Sequence, residues 1–187
     1  MSKAGATATV VAVAGRRIDA SDAAVERFPL HNRDHVRQAI LSRLASDPVS
    51  AVVSSAACGA DLLALDAARE LGIRRRIILP LEVGTFRQES VVDRPGDWGP
   101  LYDAIVSDVM AAGDLLILGA RPEQDLVYEQ LNREILWEGS KLVSATVARK
   151  LALVVWEGTA RASDDHTQHF LTMAAADGWT VDEIFTR

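Results

Sequence analysis

The chain has 187 residues, one domain by length, and can bury roughly 70% of the surface its unfolded form would expose, so it needs no disulfide or metal staple. A single cysteine, Cys58, excludes an internal disulfide, and 26 acidic against 20 basic residues give a net charge of −6, which argues against a general nucleic-acid groove. Only Lys3 is basic near the start, and the apolar run Val10 to Ala14 is too short for a membrane span or a signal segment. The expectation is a cytoplasmic protein with no membrane or nucleic-acid partner.

Thr7 to Ala14 reads as a first strand, followed by a long connection from Arg16 to Asn32. A helix then starts after Asn32 as N-cap, with Val36, Ile40 and Leu44 on one face. Ser50 to Ser55 is the second strand and Ala60 to Leu71 the second helix. Gly72 leads into a strand over Arg76 to Leu81, and a second long connection runs from Glu82 to Asp97. The third helix carries Leu101, Ile105 and Val109 at four-residue spacing, and Gly113 leads into the strand Asp114 to Leu118. The fourth helix spans about Glu123 to Ala145, with Val127, Leu131 and Ile135 in line. Leu151 to Trp156 is the fifth strand, Asp165 to Asp177 the last helix, and after Gly178 comes the final run to Phe185. Thr180 to Phe185 alternates polar and apolar residues, as an edge strand does. Glycines 72, 113 and 178 mark helix-to-strand junctions, because a C-cap in the left-handed region favours glycine.

Strands such as Val10-Val11-Ala12-Val13 are apolar on both faces, the pattern of strands between two helix layers. The fold class expected is α/β, a Rossmann-like open and mostly parallel sheet of about six strands with helices on both faces, in a single domain over 1–187.

In such a sheet, ligands bind beyond the carboxyl ends of the strands, where the strand order reverses. The stretch Ser55-Ala56-Ala57-Cys58-Gly59-Ala60-Asp61 is therefore informative. Small residues admit a ligand to the backbone, and the start of a helix offers unpaired N–H groups, an arrangement that suits a phosphate. The same small residues serve equally to pack a strand tightly on a helix. No Gly-Lys-Ser/Thr follows and three spaced glycines are lacking, so this is neither a Walker loop nor a dinucleotide fingerprint. Arg16 and Arg17, just past the first strand, are suited to grip an anion by paired hydrogen bonds. Arg87 and Arg94 lie in the second long connection. Cys58 reads as a packed, inert thiol. His166 and His169 with Asp164 and Asp165 read as a solvated helix start and not as a metal site, and Arg74-Arg75-Arg76 as a solvated strand end. No cofactor or metal is called for.

Five segments together resemble the SLOG superfamily, which groups Smf-type DNA-processing proteins with the cytokinin-activating phosphoribohydrolases. They are Gly15-Arg16-Arg17-Ile18-Asp19; Ser54 to Asp61; Leu79-Pro80-Leu81 with Phe86 and Ser90-Val91; Tyr128-Glu129-Gln130-Leu131-Asn132-Arg133; and Val154-Val155-Trp156-Glu157-Gly158. The likeness runs in order from about residue 8 to 183 and is nearest to the branch fused to bacterial signalling modules. It implies a Rossmann-like fold and a pocket for nucleotide-derived ligands, including ADP-ribose-type molecules. It places Gly15 and Arg17 in a first phosphate or ribose loop, Ser55, Gly59 and Asp61 in a second, and Asn132 on a helix facing the pocket. Two departures stand out. Arg16 occupies a position where that branch usually has histidine. The phosphoribohydrolase signature, Pro-Gly-Gly followed by Gly-Thr and a glutamate, is replaced by Gly119-Ala120-Arg121-Pro122-Glu123.

The expected ligand-binding set is Gly15, Arg16, Arg17, Asp19, Ser55, Cys58, Gly59, Ala60, Asp61, Arg87 and Asn132. The expected function is binding of a nucleotide-derived small molecule as a signalling or stress sensor, with a separate effector protein as its partner. The alternative is hydrolysis of an N-glycosidic bond using a carboxylate from Asp61, Glu82, Glu129 or Glu157. A further alternative is a ligand-free scaffold. Apolar residues around much of the fourth helix, including Leu126, Tyr128, Leu136, Trp137, Leu142 and Val143, suggest a homodimer.

Overall fold

The computed structural model describes residues 7–119, 127–161 and 165–187. Outside them fall the start of the chain, the beginning of the fourth helix at Glu123, the junction from Ala120 to Glu123, Leu126 and Asp164.

Six parallel strands form one sheet: β1 (Ala8–Gly15), β2 (Val49–Ser54), β3 (Arg74–Leu79), β4 (Leu115–Ile117), β5 (Val147–Trp156) and β6 (Thr180–Phe185). Their order across the sheet is β4-β3-β2-β1-β5-β6. The chain winds outward from β1 to β4, then returns to lay β5 on the other side of β1, with Val11 opposite Val52 on one flank and Leu151 on the other. The order reverses between β1 and β5, and there the connections at the carboxyl ends diverge and open a crevice.

The crossovers are α1 (Arg33–Ala45), α2 (Ala60–Glu70), α3 (Val83–Ser90), α4 (Gly99–Ala111), α5 (Val127–Lys141) and α6 (His166–Ala176), with a 3-10 turn over Leu30–Asn32. Side chains alternate along a strand, so β1 feeds two cores. Val11 and Val13 face the layer containing α1 to α4, whereas Val10, Ala12 and Ala14 face α5 and α6. Residues Val10 to Val13 are wholly buried, as a doubly covered strand requires. Gly72, Gly113 and Gly178 all take positive φ just past helix ends.

Several local expectations need correction. The second long connection contains the eight-residue α3, too short and too poor in apolar positions for a helical period to register. Asn32 is the N-cap of α1, but its side chain makes no cap bond and donates to the carbonyl of Thr186. The triplet Arg74-Arg75-Arg76 is no free solvated end. It opens β3, where Arg74 forks onto Asp114 at 2.6 and 2.9 Å and Arg76 reaches Glu138. On α5, Leu136 is buried, and just past the helix Leu142 packs on the core, which leaves Tyr128 and Trp137 on α5 and Val143 beyond its end as the exposed apolar residues of that set. Among the described residues no helix is long and apolar enough to cross a membrane.

Gly15 closes β1 where the two halves of the sheet meet. A Cβ there would lie 2.2 Å from the carbonyl oxygen of Val155 and 2.6 Å from Cβ of Ala60. Replacing Gly15 by alanine should therefore pry β5 and α2 from β1 and lower the unfolding free energy by about 1–3 kcal/mol in urea titrations.

Candidate functional site

The loop after β1 is built by its own side chains. Asp19 accepts the backbone N–H of Arg27 at 2.8 Å and of Phe28 at 2.9 Å, which closes the loop, and the wholly buried Phe28 ring anchors it. Thr186 pins the same loop by donating its hydroxyl to the carbonyl of Arg27. The loop after β2 packs directly against it. Gly59 has φ +99°, and a Cβ there would sit 2.6 Å from the carbonyl oxygen of Arg16. That oxygen instead accepts the N–H of Ala60, while the N–H of Cys58 goes to Ser90 at the end of α3. Two of the N–H groups at the start of α2 are thus satisfied within the protein.

The crevice between β1 and β5 holds a cavity of about 640 Å3, within the range of small-molecule sites. Of the residues singled out from sequence, Gly15, Arg16, Arg17, Asp19, Ser55, Asp61 and Asn132 line it. Cys58, Gly59, Ala60 and Arg87 do not. Cys58 is buried in the core, and burial pushes its thiol pKa up despite the charge of Arg17. Arg87 forks onto Asp103 of α4. Residues outside that expected set complete the walls: Phe86 and Ser90 from α3, Arg94, Arg27, Tyr128, Arg161, His166 and Thr167. Arg94 was noticed in sequence as a loop arginine, but recognising α3 is what brings its neighbours into the site.

Arg16 is buried, and its guanidinium is fully engaged. Nε and Nη2 reach Glu157 at 2.6 and 3.2 Å, Nη1 and Nη2 reach Asp165 at 2.7 and 2.8 Å, and Nη2 also meets the carbonyl of Thr159. Trp156 lies 5.7 Å from the guanidinium carbon. Asp165 is not a solvated helix start. It caps α6 by accepting N–H bonds from Thr167 and Gln168, with a third from Arg161. Burial pushes its pKa up, but the bonds from Arg16 and the backbone outweigh this and hold it well below the ordinary range. Glu157 is lowered likewise, against its burial, by Arg16 and Arg27.

Asp61 is different. Its carboxyl, on the first turn of α2, lines the cavity and accepts the N–H of Ala57 at 3.2 Å. Burial dominates and pushes its pKa up to about 7, with the Ala57 N–H, Ser54 and the charge of Arg17 opposing. Near neutral pH it can therefore hold or release a proton. Of the four carboxylates weighed as hydrolytic groups, it alone lines the cavity, since Glu82 and Glu129 do not and Glu157 is bound to Arg16 and Arg27.

Three polar atoms here are buried without a partner: the hydroxyls of Ser55 and Ser90, and Nε of Arg17. Leaving a buried hydroxyl unpaired costs about 1–3 kcal/mol, so two of them on one cavity mark a space suited to a polar occupant. Arg17 and Arg94 share Asp93 as a carboxylate partner, so their joint charge is only half balanced. Arg161 has its pKa lowered, first by burial and then by the charges of Arg16 and Arg27. Among the described residues no group of three or more histidine, cysteine or acidic side chains is placed to hold a metal ion. No protein-family model matches this chain, and no curated protein matches it either.

Two outcomes follow for stability. Replacing Arg16 by alanine leaves the buried Asp165 without a cation and Glu157 with Arg27 alone, and should cost about 3–5 kcal/mol at pH 7 in chemical denaturation, the loss shrinking in acid as those carboxylates protonate. Asp61 has the opposite sign. Its folded pKa lies above the ordinary carboxylate value, so its contribution is full below about pH 4 and lost as pH rises through 7. Asp61→Asn should therefore gain roughly 2–4 kcal/mol over the parent between pH 4 and pH 8, read from denaturation midpoints across that range.

Proposed function

We propose that the crevice between β1 and β5 binds a phosphorylated, nucleotide-derived small molecule and that the protein acts as a sensor of it. The observation that carries this reading is the set of buried, unpartnered polar atoms on Ser55, Ser90 and Arg17 around one cavity at the switch point of the sheet. A protein of net charge −6 repels anions at long range, and arginines around the mouth reverse that sign where a phosphate would arrive. Arg17 is the principal anion contact, because it bonds Asp93 through one nitrogen and keeps Nε without a partner. Arg16 serves by holding the loop and not by touching the phosphate.

A second reading is favoured by one observation. Asp61 is a cavity-lining carboxyl titrating near neutrality, the property a general acid or base needs to cleave an N-glycosidic bond. In that reaction a protonated Asp61 donates its proton to the base as the N-glycosidic bond breaks, water attacks the ribosyl carbon, and the proton that water loses returns to the Asp61 carboxylate.

AMP, NAD and ADP-ribose are the probes. At a hundred times its dissociation constant a bound ligand should add about 2.7 kcal/mol, seen as a rise in melting temperature. Arg17→Ala should weaken binding about ten- to a hundredfold by calorimetry. Unchanged affinity in that variant would remove the anion site. Release of free base during incubation, abolished in Asp61→Asn while binding persists, selects the hydrolase; its absence leaves the sensor.

A further inference from the structure

We infer that Tyr128, paired with His166 at the rim of the cavity, is a stacking platform for the planar base of the ligand, on the wall opposite the arginines that hold the phosphate. This rests on the crevice being the nucleotide site proposed above.

The two walls come from opposite faces of the sheet. Phe86, Ser90 and Arg94 belong to α3 and its following loop, on the layer of α1 to α4, whereas Tyr128 and His166 stand at the first turns of α5 and α6 on the other layer. Ser90 and Arg17 bring polar atoms lacking partners to the first side, and Arg94 shares Asp93 with Arg17 there. The second side carries an apolar stripe. Tyr128, Leu131 and Ile135 share one face of α5 at spacings of three and four and continue from the mouth into the core.

The ring of Tyr128 lies 5.0 Å from that of His166 at 34°, and Tyr128 is 41% exposed although it lines the cavity. Inserting a base between two rings needs roughly 7 Å, two contact distances, so a base would lie on the open face of Tyr128, with His166 supporting the ring. Asn132 explains how the pair is held, for its side-chain amide donates to the carbonyl of His166 at 2.8 Å and ties the first turn of α6 to α5. Asn132 is thus a positioning residue for the platform. An aromatic face accepts any base, so this wall supplies affinity for a planar ring, and the arginine wall selects the anion.

Calorimetric titration of AMP, adenosine and ribose 5-phosphate into the parent, Tyr128→Ala and Tyr128→Phe separates the two walls. Tyr128→Ala should weaken AMP and adenosine about tenfold and leave ribose 5-phosphate unchanged, whereas Tyr128→Phe, which keeps the ring, should bind AMP like the parent. Equal AMP affinity in Tyr128→Ala and the parent overturns the platform while leaving the anion site standing. So does an equal loss of AMP and ribose 5-phosphate, which would report a general disturbance of the rim. A parent that binds none of the three at millimolar concentration overturns the nucleotide reading and the platform together.

Discussion

The buried cluster of Arg16 with Glu157 and Asp165 is the interaction on which the arrangement of the site depends. Arg16 follows β1, Glu157 follows β5, and Asp165 caps α6, so one guanidinium joins the two strands flanking the reversal of the sheet to the helix that follows. Three ionised groups with so little solvent are costly to bury, and the cost is offset because nearly every donor and acceptor is matched in geometry. An asymmetry results. Two carboxylates against one buried arginine leave negative charge to spare, and Arg27 supplies a second cation to Glu157 from the loop. The β1 loop, the end of β5 and the start of α6 are thus fixed as one unit, and the crevice between them has rigid walls.

Around this unit, charge is sorted by depth. Behind the cavity, carboxylates are held ionised by arginine and by backbone N–H groups. Within it, burial of Asp61 outweighs the Ala57 N–H, Ser54 and the charge of Arg17, and its pKa rises. At the mouth, arginines outnumber acids. The same residue types therefore do different work over short distances, because desolvation and partner geometry, not composition, set their protonation. Asp19 illustrates the point from the other side, since it lines the cavity yet is occupied in closing its own loop.

The loops after β1 and β2 are mutually dependent. Gly59 must carry no side chain, for the carbonyl of Arg16 occupies the place a Cβ would take, and that carbonyl uses an N–H of α2 that sequence alone assigns to a ligand. Glycine and alanine at this junction admit one protein loop to another. The openings left for a ligand lie beside them, at Ser55, Ala57 and Asp61, which line the cavity.

The alternation of strands and helices, the doubly buried strands and the helix-ending glycines were legible in the sequence because each follows from periodicity or from a local backbone requirement. The placement of the residues just past β1 and β2 was legible as well, since a parallel sheet puts those positions at one end whatever the order of its strands. What the sequence could not supply was partnership across distance. Arg16 looked like an anion ligand and Asp165 like a solvent-facing acid because, 149 positions apart, nothing local reveals that they meet. The short helix α3 carried too few apolar positions to show a period, and with it went Phe86 and Ser90. Strand order alone brings β5 beside β1 and sets α5 and α6 opposite α2 and α3, so only the tertiary structure decided which arginine is spent inside the protein and which face the cavity.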